Sequence, residues 1–117
     1  TKPEVAGIQL GGEPRILQDP ADGVEAEIRL DKRVEIRLKS NPTTGYYWRL
    51  VDPLPVGLRL MDERYVADPA PEGIAGSGGT QIFLFQGDRT GQHDLFFSYQ
   101  RSASDVAEAR RIDIEVY

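Results

Sequence analysis

The sequence predicts an all-β fold, an antiparallel β-sandwich of about seven strands and of immunoglobulin-like size, and three observations predict it. Apolar residues recur with a period of two in short segments. The twelve glycines and eight prolines are clustered rather than scattered. One run, Ile82-Phe83-Leu84-Phe85, is apolar on both faces, as a central strand would be. The Gly and Pro clusters fall at 7–23, 42–57, 69–79 and 87–91 and leave segments too short for a helical bundle. A barrel is the nearest alternative. With 117 residues, the chain is expected to form one domain over 1–117, burying about two thirds of its unfolded surface.

Taken in order, Ala26, Ile28 and Leu30 alternate with Glu25, Glu27 and Arg29, which puts three apolar side chains on one face. Val34, Ile36 and Leu38 do the same against Glu35, Arg37 and Lys39. Leu58 and Leu60 flank Arg59, and the two-sided run at 82–85 comes next. Leu95, Phe97 and Tyr99 share a face, as do Ile112, Ile114 and Val116. Between these last two strands, Ser104 to Arg111 has helix-forming residues with an acidic start and a basic end. A short helical turn in that last inter-strand loop is therefore expected.

Composition removes many functions. There is no cysteine, which excludes disulfides, thiolate nucleophiles and Cys-based metal centres. A net charge of −5 disfavours partners held through phosphates or an anionic bilayer, and no apolar run exceeds four residues. No cofactor, metal or catalytic residue is expected, and neither nucleic acid nor membrane is a partner. His93 is the one histidine; period two places it on the opposite face from Asp94 and Ser98, so the three do not converge as a triad. Asp19, Asp22, Gly23 and Glu25 lack the regular oxygen spacing of a calcium loop.

Two loops remain. Asn41-Pro42-Thr43-Thr44-Gly45-Tyr46 is a turn by mechanism: Asn41 can bond its own backbone, Pro42 fixes φ, and Gly45 can take positive φ. Thr43 and Thr44 are then presented at its tip, with β-branching that limits the entropy lost on docking. The second loop, Gly73-Ile74-Ala75-Gly76-Ser77-Gly78-Gly79, leads into a strand rather than a helix, which argues against a phosphate cradle. Its glycines allow another surface to approach the backbone. Alternation puts Trp48 and Tyr46 on one face and Tyr47 on the other, so Trp48 reads as core.

The order of these pieces resembles the chagasin family of cysteine-peptidase inhibitors over roughly residues 33–117. The carriers are Asn41-Pro42-Thr43-Thr44-Gly45-Tyr46 with Trp48, then Gly76-Ser77-Gly78-Gly79-Thr80, then Phe97-Ser98-Tyr99-Gln100-Arg101. The resemblance implies an immunoglobulin-like, disulfide-independent domain that reversibly and non-covalently inhibits papain-like, cathepsin-L-like peptidases with three loops at one end of the sandwich. It implies a monomer, not an enzyme, in the periplasm or secreted. Carried over, Asn41, Pro42, Thr43, Thr44, Gly45 and Tyr46 form the central loop, with both threonines against the active-site cysteine. Gly76, Ser77, Gly78 and Gly79 form the second loop. Arg101 opens the third, where Ser102 and Ala103 stand in place of the family's proline and aromatic ring. Loss of an aromatic anchor commonly costs about 2 kcal/mol or more, tens-fold in affinity. The alternative function on the same fold is an adhesion or carbohydrate-binding module, resting on Tyr47 and the glycine loop.

Overall fold

The alternating segments build two facing four-stranded sheets. The computed structural model describes residues 13–69 and 78–117. In chain order the strands are β1 (Arg15–Gln18), β2 (Glu25–Ile28), β3 (Arg33–Ser40), β4 (Tyr47–Leu50), β5 (Leu58–Ala67), β6 (Gly79–Gly87), β7 (Gly91–Ser102) and β8 (Asp105–Val116). One sheet has the order β1-β3-β6-β5, the other β2-β8-β7-β4. The two-sided apolar run lies in β6, flanked by β3 and β5, so it is central as its composition requires.

The inward residues of both sheets form one core. Val34, Ile36, Leu38, Phe83 and Phe85 from one sheet face Trp48, Leu95, Phe97, Ile112, Ile114 and Val116 from the other, all nearly inaccessible. Phe83 and Phe97 meet edge to face with centroids 5.1 Å apart, tying the sheets at mid-height. Each such buried side chain is worth about 1.5–3 kcal/mol against exposure, which makes a disulfide unnecessary.

Three details differ from the sequence-based expectation. The eight strands among the described residues agree with a sandwich of about seven, but two pairings, β1 with β3 and β2 with β8, are parallel rather than antiparallel. The cause is a parity of turns. The chain reverses after β1 and again after β2, switching sheets each time, so β3 returns beside β1 in the same direction. Leu30 is exposed because β2 ends at Ile28, before the alternation reaches it.

The third difference is larger. Residues 104–111 hold no helix: β7 and β8 form a long hairpin, closed by a two-residue turn at Ala103-Ser104 with Ser102 opposite Asp105. Intrinsic helix preference amounts to tenths of a kcal/mol per residue, and a one- or two-turn helix is costly to nucleate. Here β7 offers a full ladder of partners to the same residues, and pairing wins. From residue 100 to 109 no residue is buried, so the hairpin projects beyond the core. His93 has a packing role: a Cβ on Gly57 would overlap its ring, and Nε2 lies 2.9 Å from the Arg89 carbonyl oxygen.

Candidate functional site

Strand register brings three strand connections to one end of the sandwich. Ser40, the last residue of β3, is opposite Gly79, the first of β6, and Gly79 is also opposite Ala67, the last of β5. In the other sheet Tyr47, opening β4, is opposite Gln100, just before the hairpin tip. The β3–β4 loop, the β5–β6 loop and the β7–β8 tip therefore leave from neighbouring strand ends.

The first loop is a 3-10 turn over Pro42–Thr44, stopped by Gly45 at φ +85. The Asn41 side-chain oxygen caps it, accepting from the Thr43 backbone N–H at 3.3 Å and from the Thr43 hydroxyl at 2.5 Å. Thr44 donates its hydroxyl to the Asn41 carbonyl at 2.6 Å. Both threonines are exposed at the tip, yet their hydroxyl protons are already engaged. What the tip presents is two methyl groups and hydroxyl lone pairs, in rotamers fixed by Asn41.

Beneath the loop lies an aromatic floor. The Asn41 N–H donates to the Tyr99 hydroxyl at 2.9 Å. The Tyr99 ring stacks on Tyr46 at 5.5 Å and tilts against Trp48 at 4.9 Å. Trp48 is locked in turn: its indole N–H donates to the Lys39 carbonyl at 2.7 Å, and Gln81 bonds both its backbone N–H and its carbonyl. The Arg110 guanidinium sits 4.7 Å from the Trp48 ring, anchored by Asp19 and Glu108. Tyr46 and Trp48 face inward while Tyr47 points out, so these rings form no sugar-stacking platform.

The second loop springs from Ala67 and Gly79. Its first rung is the Asp68 N–H donating to the Gly78 carbonyl at 2.9 Å. Glycine is required here for close approach. A Cβ on Gly79 would overlap the Val66 carbonyl oxygen, and one on Gly78, at φ +153, would lie 3.0 Å from the Ser40 carbonyl oxygen. These contacts seat the base of the second loop against the start of the first. Gly76 and Ser77 lie outside the described residues.

At the third position Arg101, Ser102 and Ala103 are all exposed on the hairpin tip. Arg101 is nonetheless tied down. Its guanidinium contacts Asp105 Oδ2 at 2.6 and 2.8 Å and lies over the Tyr46 ring at 5.2 Å. Asp105 Oδ1 accepts from the Tyr46 hydroxyl at 2.7 Å. The hydrogen bond from Tyr46, followed by that from Arg101, holds the Asp105 carboxyl below the usual aspartate range. The same contacts with Asp105 raise the Tyr46 hydroxyl and the Arg101 guanidinium above theirs.

Sequence reasoning does not single out Asp105 or Tyr99 for the site, nor Gln81 and Arg110, which hold Trp48. Tyr99 stood on the correct inward face, but nothing local said its hydroxyl would reach Asn41. Asp105 falls in the stretch whose local preference is helical; the available signal is an arginine and an aspartate four apart across a two-residue turn. Among the described residues no cluster of three or more His, Asp or Glu could hold a metal ion.

A rigid sandwich that gathers the β3–β4 turn, the base of the β5–β6 loop and the β7–β8 tip at one end is a scaffold for blocking. Known proteins agree with that class. The family described as Chagasin family peptidase inhibitor I42 matches residues 27–116. The chain belongs to this family. Amoebiasin-1 of Entamoeba histolytica is 39% identical over 82 residues, 70% of this chain and 78% of that protein. The solution structure of Amebosin superposes with a TM-score of 0.70 at 31% identity, covering 91% of this chain and 100% of that one. The crystal structure of EhICP2, a cysteine protease inhibitor from Entamoeba histolytica, shares the fold with a TM-score of 0.75 at 20% identity, over 88% of this chain and 95% of that one.

Proposed function

We propose that this chagasin-family inhibitor acts on papain-like, cathepsin-L-like cysteine peptidases, reversibly and without covalent chemistry, by filling the active-site cleft with its three turns. The observation that carries this is the first loop: exposed threonines on a capped 3-10 turn that rests on a hydrogen-bonded aromatic floor. Ordering a free side chain on binding costs about 0.5–1.5 kcal/mol. Thr43 and Thr44, whose hydroxyls are bonded before any partner arrives, avoid most of that cost.

In this reading Thr43 and Thr44 sit against the peptidase's catalytic cysteine, presenting methyls and lone pairs but no peptide bond suited to cleavage. The backbone around Gly76, Ser77, Gly78 and Gly79 lines one flank and the tip at Arg101, Ser102 and Ala103 the other. A footprint of standard size, about 1,600 Å² in total, suffices to exclude substrate. Titration into papain tests it, with complete, dilution-reversible inhibition expected. No inhibition at micromolar concentration by a cooperatively melting sample overturns it. Replacing Thr43 and Thr44 together by arginine should abolish inhibition and leave the melting transition in place, because both side chains are exposed.

A further inference from the structure

We propose that Asp105 is a positioning residue for inhibition, clasping Tyr46 of the first loop and Arg101 of the hairpin tip so that the two turns enter the peptidase cleft as one unit. The proposal rests on the inhibitor reading above and deepens it. In it Arg101 acts through the clasp, linking the hairpin tip to Tyr46.

Four features support it. The two carboxylate oxygens are divided between the two turns, Oδ1 to the Tyr46 hydroxyl and Oδ2 to the Arg101 guanidinium. The guanidinium closes the ring by covering the Tyr46 face. Register shifts around Gln100 and Ser102 leave Arg101 as an extra residue on β7, and such a bulge re-aims a side chain out of its strand's regular alternation. Gly45 admits the arrangement, since a Cβ there would come within 3.1 Å of Arg101 Cδ. The hairpin tip itself offers only Ser102, Ala103 and Ser104, none of which can stiffen it or anchor it by bulk. The restraint on the tip therefore comes from outside the turn, through Asp105.

An exposed ion pair contributes little to global stability, so the clasp separates affinity from folding. Asp105→Asn and Tyr46→Phe should each weaken papain inhibition about tenfold while the melting temperature hardly changes. The double variant should be no weaker than Asp105→Asn alone, because both changes open the same clasp. Additive losses would mean that the two side chains touch the peptidase independently, and unchanged inhibition would mean that the turns need no tie; either result overturns the proposal. A wild-type protein that fails to inhibit papain defeats the inhibitor reading instead. The clasp is then judged in the free protein by amide hydrogen exchange, where Asp105→Asn should speed exchange at the Asn41 and Gly45 N–H groups, bonded to Tyr99 and Pro42. Unaltered protection there overturns the clasp whatever the peptidase does.

Discussion

Asp105 and Asp113 stand on the same strand, eight residues and roughly 27 Å of chain apart, and their carboxylates are treated in opposite ways. At the loop end Asp105 receives a phenol and a guanidinium, and its acidity is strengthened. Toward the other end Asp113 lies between Asp94 on β7 and Glu25 on β2, directly across from each. Burial, then Asp94 and Glu25, push its carboxyl above the usual aspartate range, against the opposing pull of Arg111, and its Oδ1 is buried without a hydrogen-bond partner. One end of the sandwich uses charge as a fastening, whereas the other tolerates repulsion. The difference shows where precise placement is needed: a row of like charges can be carried by strands that the core already holds, but exposed turns have no core to hold them.

The largest effect should come from removing the floor beneath the fastened end. Trp48→Ala is expected to cost about 3–5 kcal/mol in urea unfolding, as truncation of a buried aromatic does, and to abolish inhibition. A cost below about 1 kcal/mol would show that the loop end stands without its floor. Next, Tyr99→Phe strips the acceptor from the Asn41 N–H at a cost of about 1 kcal/mol. It should weaken inhibition while leaving exchange at the β2–β8 pairing unchanged.

At the repelling end, Asp113→Asn should stabilise the protein by about 0.2–1 kcal/mol at neutral pH, the size of a cross-strand like-charge penalty. Because the folded carboxyl titrates above its unfolded value, the stability it contributes is present at low pH and lost as pH rises through the folded value. The advantage of Asp113→Asn must therefore fade on acidification. For Asp105 the sign reverses, with stability present above the unfolded value and lost as pH falls through the lower folded one. Carboxyl NMR should find Asp105 titrating below about 3.9 and Asp113 above it. The smallest effect is from salt, which should raise the melting temperature of the wild type slightly more than that of Asp113→Asn.

What was legible in the sequence came from local chemistry. Val34, Ile36 and Leu38 are buried because period two admits one assignment, and the turn at Asn41–Gly45 forms because capping, a fixed φ and a glycine coincide within five residues. The parallel pairings of β1 and β2 had no local mark, since they depend on which sheet each strand joins. At 104–111 local preference favoured a helix, and a neighbouring strand outweighed it. The clasp was hidden for the plainest reason: Tyr46 and Asp105 are 59 residues apart, and only the finished sandwich makes them neighbours. Of the thirteen residues singled out for peptidase contact, the register brings the eleven described ones to one end, and Gly76 and Ser77 fall outside the described residues.

The pairing of β2 with β8 also sets an order of events during synthesis. Ala26 aligns with Ile114, and the Leu30 and Tyr117 backbones add bonds beside that ladder, so one edge of a sheet waits for a partner nearly ninety residues downstream. Closing so long a loop is slow and cannot begin until β8 has been made. The β3–β6–β5 ladder closes over shorter separations, and the hairpin that holds Tyr46 through Asp105 lies in the other sheet. The clasp at the loop end therefore depends on the sheet whose edge closes over the longest stretch of chain.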